Sequence, residues 1–491
     1  MTTPTIPASS RPRLAALPRV PLDRPVTIVA LVVLQVVVAI ASSYSVTLAT
    51  AVAALSLLAA LAVAGLGRRI DLAVGAAVYV GSSDVLWRMT QAKVPWEIGK
   101  YALMAILVLV LFRHCKRLTR AVAPLVYLAV IIPSAALTVS ALSPSLARSE
   151  VSFALSGPVA LGVCALAFRQ MTATEGEIRH LLWLAVLPIT GVAALATKGT
   201  IAAGRITFTG ESNFVTSGGF GPNQVSTILG AGAVCCLLIM LSHTTRHTRF
   251  VALAVGLWCV GQALLTLSRG GVWGSVASAS GIAIVGLLSA GWRSKVITYG
   301  VILAVVAVVI YSWLNFFTGG ALGFRYAEAG STNRSDIAQG DLGLFSSHPL
   351  LGVGPGMAKF QRGGVIDSDA NTHTEYTRLL AEHGALGVIA LAALAVMVVQ
   401  SIAWSTTVWN RFLAAGGMAY ALFTMSHSAT RIAIVAVMFG LGCLRIDDRS
   451  SDDVPSDDVP NDDVANDDVR PELVAAAVPI ARQPLRIRAR R

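Results

Sequence analysis

Long apolar runs recur along the whole chain and are separated by short polar connections. Residues 26–41 read VTIVALVVLQVVVAIA, and residues 296–314 read VITYGVILAVVAVVIYSWL. A helix of about 20 apolar residues is long enough to cross the ~30 Å hydrocarbon layer of a membrane. Hydrophobic residues make up 55% of the 491-residue chain and charged residues only 13%, whereas soluble domains carry about 25% charged residues. The pattern predicts an all-α polytopic membrane protein with about 12–14 transmembrane helices.

The basic residues predict how these helices are oriented. Clusters such as RHCKRLTR (residues 113–120) and HTTRHTR (residues 243–249) fall at alternate connections between the apolar runs. Because Lys and Arg mark cytoplasmic loops, we expect a multi-pass protein of the cell (plasma) membrane with both termini in the cytoplasm. The net charge of +12 then reflects helix orientation, so we expect contact with membrane lipid and no nucleic-acid partner.

Three regions are predicted. Residues 1–25 form a basic cytoplasmic arm, and residues 26–445 form the transmembrane domain, with a large extracytoplasmic loop at about 318–383 that contains short helices. A loop of that length inside a compact domain is usually functional, so we expect the catalytic surface there. Residues 446–491 include the pentads SDDVP, SDDVP, NDDVA and NDDVR, whose like charges predict a disordered cytoplasmic tail.

Two arginines are candidates for binding an anion. Arg269 follows an apolar run in LLTLSRGGVWGS, and an arginine near membrane depth costs about 2.5–3.5 kcal/mol, so such residues are often functional. The alternative is a side chain that extends to the outer interface. Arg334, in the predicted outer loop, either belongs to a site or pairs with nearby Asp336 on the surface.

The stretch NTHTEYTRLLAEHGALG (residues 371–387) gathers an unusual number of polar side chains. If Thr372 is the N-cap of a helix, Glu375 is its third residue and the two form a capping box. Glu375, Arg378 and Glu382 would then share one face and pair along the surface.

His373 would lie on the opposite, inward face of that helix, together with Tyr376. The histidine and the glutamates would therefore point apart, and we expect no metal site. At the first turn of a helix the dipole favours a neutral imidazole, which suits a general base. A histidine that is simply packed at the start of the helix is the alternative.

Neither of two possible phosphate-binding elements is expected in this chain. The chain contains no Gly-Lys-Ser/Thr phosphate loop, so ATP-driven work is not expected. The sequence GVGPG (residues 352–356) could cradle a phosphate, but its proline removes a donor. We therefore interpret it as a tight turn.

The order and spacing of these motifs resemble the O-antigen ligase / O-antigen polymerase superfamily over about residues 221–391. The elements are SRG after an apolar run, an arginine ahead of HPLLGVGPG, and HTEY followed by LLAEHGALG, with FGPNQ upstream. One departure is Thr374, since the family usually has asparagine after the histidine.

The resemblance implies a metal-independent, cofactor-free membrane glycosyltransferase with a C-type (GT-C-like) fold, active in cell-envelope or exopolysaccharide biosynthesis. The donor would be a glycan on polyprenyl (undecaprenyl) diphosphate, and the acceptor a glycan, lipid or envelope polymer. Arginines grip a diphosphate leaving group bidentately, and a neutral histidine can accept the proton of the acceptor hydroxyl. The implied roles are donor diphosphate binding by Arg269 and Arg334, catalysis by His373, and support by Asn223, Arg205, Asn333 and Tyr376.

Other functions remain open at this point. A transporter or flippase of lipid-linked glycans would show internal repeats and broken helices near the bilayer midplane, but no repeat is visible. A polymerase of the shape-and-division type is a third candidate, and the His373 motif argues against it. Ligase and polymerase differ only in their acceptor, which these residues do not identify.

Overall fold

The computed structural model describes residues 24–115, 117–204, 206–209, 211–327, 334–362, 374–427 and 430–446, with only the backbone of Arg334. The predicted N-terminal arm (apart from its last two residues) and the C-terminal pentads lie outside these ranges, as do three of the predicted site residues. Those three are Arg205, Asn333 and His373.

Helices account for most of the described chain. In order they are α1 (Pro25–Ser42), α2 (Val46–Leu66), α3 (Ile70–Met89), α4 (Ile98–His114), α5 (Val122–Ile131), α6 (Ala135–Ala141), α7 (Pro144–Arg169), α8 (Glu175–Ala202), α9 (Pro222–Leu241), α10 (Arg246–Leu265), α11 (Arg269–Leu288), α12 (Arg293–Phe317), α13 (Ala321–Ala327), α14 (Arg334–Ser347), α15 (Ala358–Gln361), α16 (Glu375–His383), α17 (Ala385–Ala403), α18 (Val408–Met425) and α19 (Ala433–Cys443). A short 3₁₀ helix spans Val215–Ser217. Strands β1 (Thr172–Ala173) and β2 (Arg445–Ile446) pair in parallel.

Within the described residues, 11 helices are long and apolar enough to cross a membrane, with α5 and α6 acting as one span. The prediction of an all-α polytopic membrane protein is confirmed. Three further helices of the bundle fall short of that standard: α4 has 17 residues, α19 has 11, and α18 carries Asn410 and Arg411. The last hairpin, which the sequence left open, consists of two separate helices.

The short helix α19 lies at the centre of the bundle. Every one of its residues is buried, and it packs against α3, α7 and α18. Its N-cap residue, Ile432, has an extended backbone, and the side chain of Ile432 makes no capping hydrogen bond. Instead the N–H of Ala433 donates to Oδ2 of Asp84 on α3, at 3.2 Å. Irregular backbone of this kind is tolerated within a membrane domain only where protein surrounds it.

Helices α9 and α11 cross at very short range through two glycines. A Cβ on Gly271 would overlap the carbonyl oxygen of Ser226, and one on Gly230 would overlap the carbonyl oxygen of Gly271. The hydroxyl of Ser226 donates to the carbonyl of Ser268 at 2.8 Å. Small residues at membrane helix crossings allow this approach, and here the crossing fixes the position of the start of α11.

Replacing Gly271 with alanine is expected to lower the thermal unfolding midpoint of the detergent-solubilised protein. The added methyl group has no space, and overpacking of this kind costs about 1–3 kcal/mol. Tryptophan fluorescence during heating measures the midpoint. Gly261→Ala on α10 is the control, because a Cβ there meets no atom within 4 Å; it should unfold at or slightly above the wild-type temperature. Equal midpoints for wild type and Gly271→Ala would contradict the crossing.

Candidate functional site

The α8–α9 and α10–α11 connections and helix α13 meet at one side of the bundle. The N–H of Asn213, between α8 and α9, donates to the carbonyl of Thr266 at 2.8 Å. Arg325, on α13, donates through Nε to the carbonyl of Leu267 at 3.2 Å. We call this side, which carries α13–α16, the loop face.

Arg269 is the first residue of α11, and the turn before it is held in a strained shape. Leu267 has a φ of 52°, a conformation that costs a non-glycine residue about 1–3 kcal/mol and is frequent at functional sites. Packing compensates, since Leu267 is completely buried beside Leu314 and Leu322. Its carbonyl also accepts the hydrogen bond from Arg325. The direction in which α11 begins is therefore fixed by the core.

Asn223 contacts the residue directly before Arg269. The hydroxyl of Ser268, the N-cap of α11, donates to Oδ1 of Asn223 at 2.7 Å. On the other side, the ring of His427 lies so close to Gly270 that a side chain there would overlap it. Arg269 itself is half-buried, and its neighbours on both sides in the chain are thus packed against α9 and the end of α18.

The charge of Arg269 is also felt by Tyr326 on α13. Burial raises the pKa of the Tyr326 phenol, and the guanidinium of Arg269 acts in the opposite direction. Tyr326 packs against Trp273 of α11 and Tyr311 of α12, with ring centroids 6.3 and 6.4 Å apart. These three aromatic rings close the loop-face end of a groove that runs down one side of α11.

That groove, which we call the apolar groove, has a volume of about 320 Å³. Helices α9–α13 form it, and its lining is almost entirely apolar, including Leu237, Leu257, Val276, Ile310 and Tyr326. Binding sites for small molecules commonly have volumes of about 300–1,000 Å³. Arg269 begins α11, and Val272 and Trp273, which follow within the first two turns of that helix, line the groove.

A second arginine of the loop face, Arg88 on α3, was missed from the sequence. Its Nη2 bonds to Oδ2 of Asp84 at 2.9 Å, and its Nη1 donates to Oε1 of Gln224 at 3.0 Å. The guanidinium also lies over the ring of Trp96, 4.5 Å from the centroid. The sequence does contain a feature that could have identified Arg88, because Asp84 and Arg88 are an i,i+4 pair of opposite charge inside an apolar helix.

A second buried ion pair lies beside it at the start of α4. Lys100 pairs with Glu97, and both are buried. The hydroxyl of Ser156, on α7, donates to Oε2 of Glu97 at 3.0 Å. Charged residues this deep in a membrane domain are costly and require partners, and these have them.

The predicted pairing of Glu375 with Arg378 along α16 is confirmed, but the prediction that this charged side lies on the surface is wrong. Glu375 is 0% exposed and Glu382 only 3%. Arg378 pairs with Glu375 and donates to the carbonyl of Ala154 on α7 at 2.9 Å. The charged side of the helix packs into the protein because hydrogen-bonding partners from other segments lie there. The spacing of residues along the helix does not predict these partners.

The predicted capping box is also wrong. The N-cap is Thr374, whose side chain makes no capping bond, and the helix begins at Glu375. Tyr376 reaches the neighbouring helix α18, where its hydroxyl donates to the carbonyl of Leu422 at 2.9 Å. Thr377 donates to Oδ2 of Asp341 on α14 at 2.9 Å. Helix α16 is thus fixed on three sides, and His373 directly precedes its N-cap residue in the chain.

The turn at residues 352–356 holds the other end of α16. The N–H groups of Val353 and Gly354 donate to the carbonyls of Ala381 and Glu382, each at 3.0 Å. Gly352, Gly354 and Gly356 have φ values of 68°, 98° and 79°, which glycine adopts most readily. The interpretation as a tight turn is confirmed.

Two titratable groups are buried at this end of α16. Burial raises the pKa of Glu382 to about 7, although Arg378 and the backbone N–H of Gly356 act in the opposite direction. Burial lowers the pKa of His383 to about 3, with help from Arg378, and Nδ1 of His383 bonds with the hydroxyl of Ser134. His383 is therefore a neutral structural residue.

No cluster of three or more His, Cys, Asp and Glu side chains suited to a metal ion occurs in the part of the chain that the structure describes. Arg334 begins α14, which packs against α16.

Glu382→Gln should change how stability depends on pH. The pKa of Glu382 is raised from 4.5 to about 7, so between these values the folded state holds a proton that the unfolded state has lost. The wild type therefore loses stability as pH rises through this window, and the variant, which cannot titrate here, does not. In a series of thermal unfolding measurements, the difference between the midpoints (wild type minus variant) should decrease as the pH rises from 4.5 to 7.

The low pKa of His383 affects both proteins equally and cancels in that difference. A difference that stays constant with pH would show that Glu382 keeps one protonation state throughout.

The comparisons with known proteins agree with this geometry. Residues 254–392 match the O-antigen ligase family, and the matched segment contains Arg269, the described parts of the predicted loop, and α16. No curated protein matched the chain. Members of this family are membrane proteins that transfer glycans, and eleven apolar helices make the chain a multi-pass membrane protein. The resemblance seen in the sequence is therefore confirmed for residues 254–392, which form an O-antigen ligase family domain.

Proposed function

We propose that the protein transfers a glycan from polyprenyl diphosphate, with undecaprenyl as the lipid, to an acceptor outside the cytoplasmic membrane. The observation that carries the proposal is Arg269, the cation that begins α11 directly before Val272 and Trp273 join the lining of the apolar groove, within the family-matched region. The loop face would be extracytoplasmic, both termini cytoplasmic, and the architecture that of C-type glycosyltransferases.

The donor would bind with its diphosphate at Arg269 and its lipid in the apolar groove. The lining of Leu, Val, Ile and aromatic side chains matches an isoprenoid chain, and burying each CH₂ group stabilises the complex by about 0.8 kcal/mol. Arg334, at the first position of α14, would supply the second cation. Two planar guanidinium groups can hold a diphosphate bidentately.

The reaction would be a direct displacement at the anomeric carbon of the donor sugar. An acceptor hydroxyl attacks this carbon while the bond to the diphosphate oxygen breaks, and the diphosphate departs with the electron pair. His373 takes the proton of the hydroxyl as the new glycosidic bond forms. Arg269 and Arg334 stabilise the charge that develops on the leaving group, so the mechanism needs neither metal nor cofactor.

The supporting residues act mainly through position. Asn223 accepts a hydrogen bond from Ser268 and so fixes the residue before Arg269. Tyr376 ties α16 to α18, and α16 begins two residues after His373 in the chain. Arg205 and Asn333 are proposed to help bind the donor from the loop face.

A transporter or flippase of lipid-linked glycans is the alternative, and the family match weighs against it. Ligase and polymerase share all the chemistry above and differ only in the acceptor, which would be an envelope lipid or polymer in one case and a growing glycan in the other.

The purified protein in detergent with chelator, given an undecaprenyl-diphosphate-linked glycan and a panel of envelope-derived acceptors, is expected to release undecaprenyl diphosphate. Thin-layer chromatography of the lipid measures the release. His373→Ala should retain bound donor but lose turnover, because only proton transfer is removed. Activity that appears only with added divalent metal would contradict the mechanism, and wild-type turnover in His373→Ala would remove the assignment of the base.

Arg269→Lys should lower kcat/KM for the donor at least about tenfold, because lysine keeps the charge but loses the bidentate geometry. Arg246→Lys is a matched control, since Arg246 is also the first residue of a helix but is exposed at the start of α10. It should retain wild-type kinetics. If both variants behave alike, Arg269 does not hold the diphosphate.

A further inference from the structure

A second cavity opens on the loop face, on the other side of Arg88 from the apolar groove. It has a volume of about 910 Å³ and lies between the α3–α4 connection, α4, α6 and the first half of α7. We call it the aromatic groove. The lining residues that matter for its chemistry are Trp96, Glu97, Tyr101, Val139, Arg148 and Phe153.

The lining of the aromatic groove differs in kind from that of the apolar groove. Three aromatic rings present open faces, with Trp96 52%, Tyr101 40% and Phe153 36% exposed. Between them lie hydrogen-bonding groups, including the hydroxyl pair of Tyr101 and Ser152 at 2.5 Å. Glu97 also lines the groove, with its carboxylate engaged by Lys100 and Ser156.

A pyranose ring has apolar C–H faces and a rim of hydroxyls. Such a molecule fits a wall that alternates flat aromatic surfaces with hydroxyl, carboxylate and guanidinium groups. A prenyl chain would cover the rings but could not form hydrogen bonds with the hydroxyl groups or with Arg148, whereas the hydroxyls of a glycan can. The chemistry therefore favours a glycan over a lipid tail.

The inner wall of the aromatic groove is continuous with the candidate site. The guanidinium of Arg88 lies behind Trp96 and that of Arg431 lies 5.8 Å from the ring centroid of Phe153. Arg88 also donates to Gln224, whose neighbour in the chain, Asn223, bonds to the N-cap of α11. Two aromatic–arginine pairs thus form the partition between this groove and the region of Arg269.

We propose that the aromatic groove binds the acceptor glycan. The inference rests on the proposed function, since it supplies the second substrate of that transfer. The two substrates then approach from opposite sides of one partition: the lipid-linked donor from the apolar groove, and the acceptor, stacked on Trp96, Tyr101 and Phe153, from the aromatic groove. The acceptor hydroxyl emerges next to the donor's anomeric carbon.

A matched pair of cysteine variants tests this assignment. Val139 lines the groove, whereas the next residue, Ser140, is exposed on α6 and does not line it. Val139→Cys and Ser140→Cys are each labelled with a polyethylene-glycol maleimide on the full-length protein. Wild type treated with the same reagent controls for the native cysteines, of which Cys115 is half-buried and the others buried.

Two binding probes are used. One is a fluorescent hexasaccharide prepared from the envelope polysaccharide of the expressing cell, followed by anisotropy. The other is radiolabelled undecaprenyl diphosphate, followed by retention on the purified protein. Labelled Val139→Cys should bind the hexasaccharide at least tenfold more weakly, while it retains undecaprenyl diphosphate as the wild type does. Labelled Ser140→Cys should bind both probes normally. Unlabelled Trp96→Leu should weaken the binding of the hexasaccharide but not that of undecaprenyl diphosphate. Because it carries no label, it controls for an effect of the label on folding.

The outcomes separate the two proposals. Unchanged hexasaccharide binding in labelled Val139→Cys and in Trp96→Leu overturns the acceptor groove. Loss of undecaprenyl diphosphate binding in these variants, with normal hexasaccharide binding, also overturns it and would make the groove a lipid site. Absence of undecaprenyl diphosphate release by the wild type overturns the proposed function instead, and the anisotropy measurement still decides what the groove binds.

Discussion

The ion pair of Asp84 and Arg88 joins more of the loop face than any other contact described above. Asp84 accepts the first N–H of α19, and Arg88 reaches Gln224 on α9, the ring of Trp96 and, at 3.5 Å, the carbonyl of Arg431. Removing one partner of a buried pair costs about 3–5 kcal/mol, because the other charge is left uncompensated. The pair therefore holds together the elements around the candidate site. Helix α3, which carries both residues, can support the site in this way without contacting a substrate.

Much of the architecture follows from the apolar pattern alone. Long runs such as α1 and α12 can satisfy their backbone in lipid only as helices, so the fold class was determined before any contact was known. Arg269 was found in the same way, since a charge at the edge of an apolar run is conspicuous. The alternating basic clusters predict an orientation that remains a proposal.

The failures share one cause. The spacing of Glu375, Arg378 and Glu382 shows that they occupy one side of a helix, but not whether that side meets water or protein. Spacing cannot reveal the carbonyl of Ala154 or the N–H of Gly356, which come from distant segments and make burial affordable. Asp84 and Arg88 were overlooked for a related reason: their role depends on Gln224 and Ala433, more than 100 residues away.

The peripheral position of α12 has a mechanical consequence. None of its membrane-spanning window is buried, yet Leu303, Ala307 and Ile310 from this helix form the outer wall of the apolar groove. Moving α12 aside would break few contacts and would leave the tightly crossed α9 and α11 undisturbed. The groove thus has one rigid wall and one compliant wall, and the compliant wall faces the bilayer. Under the proposed function, the isoprenoid of the donor would enter sideways from the surrounding lipid without leaving a hydrocarbon environment.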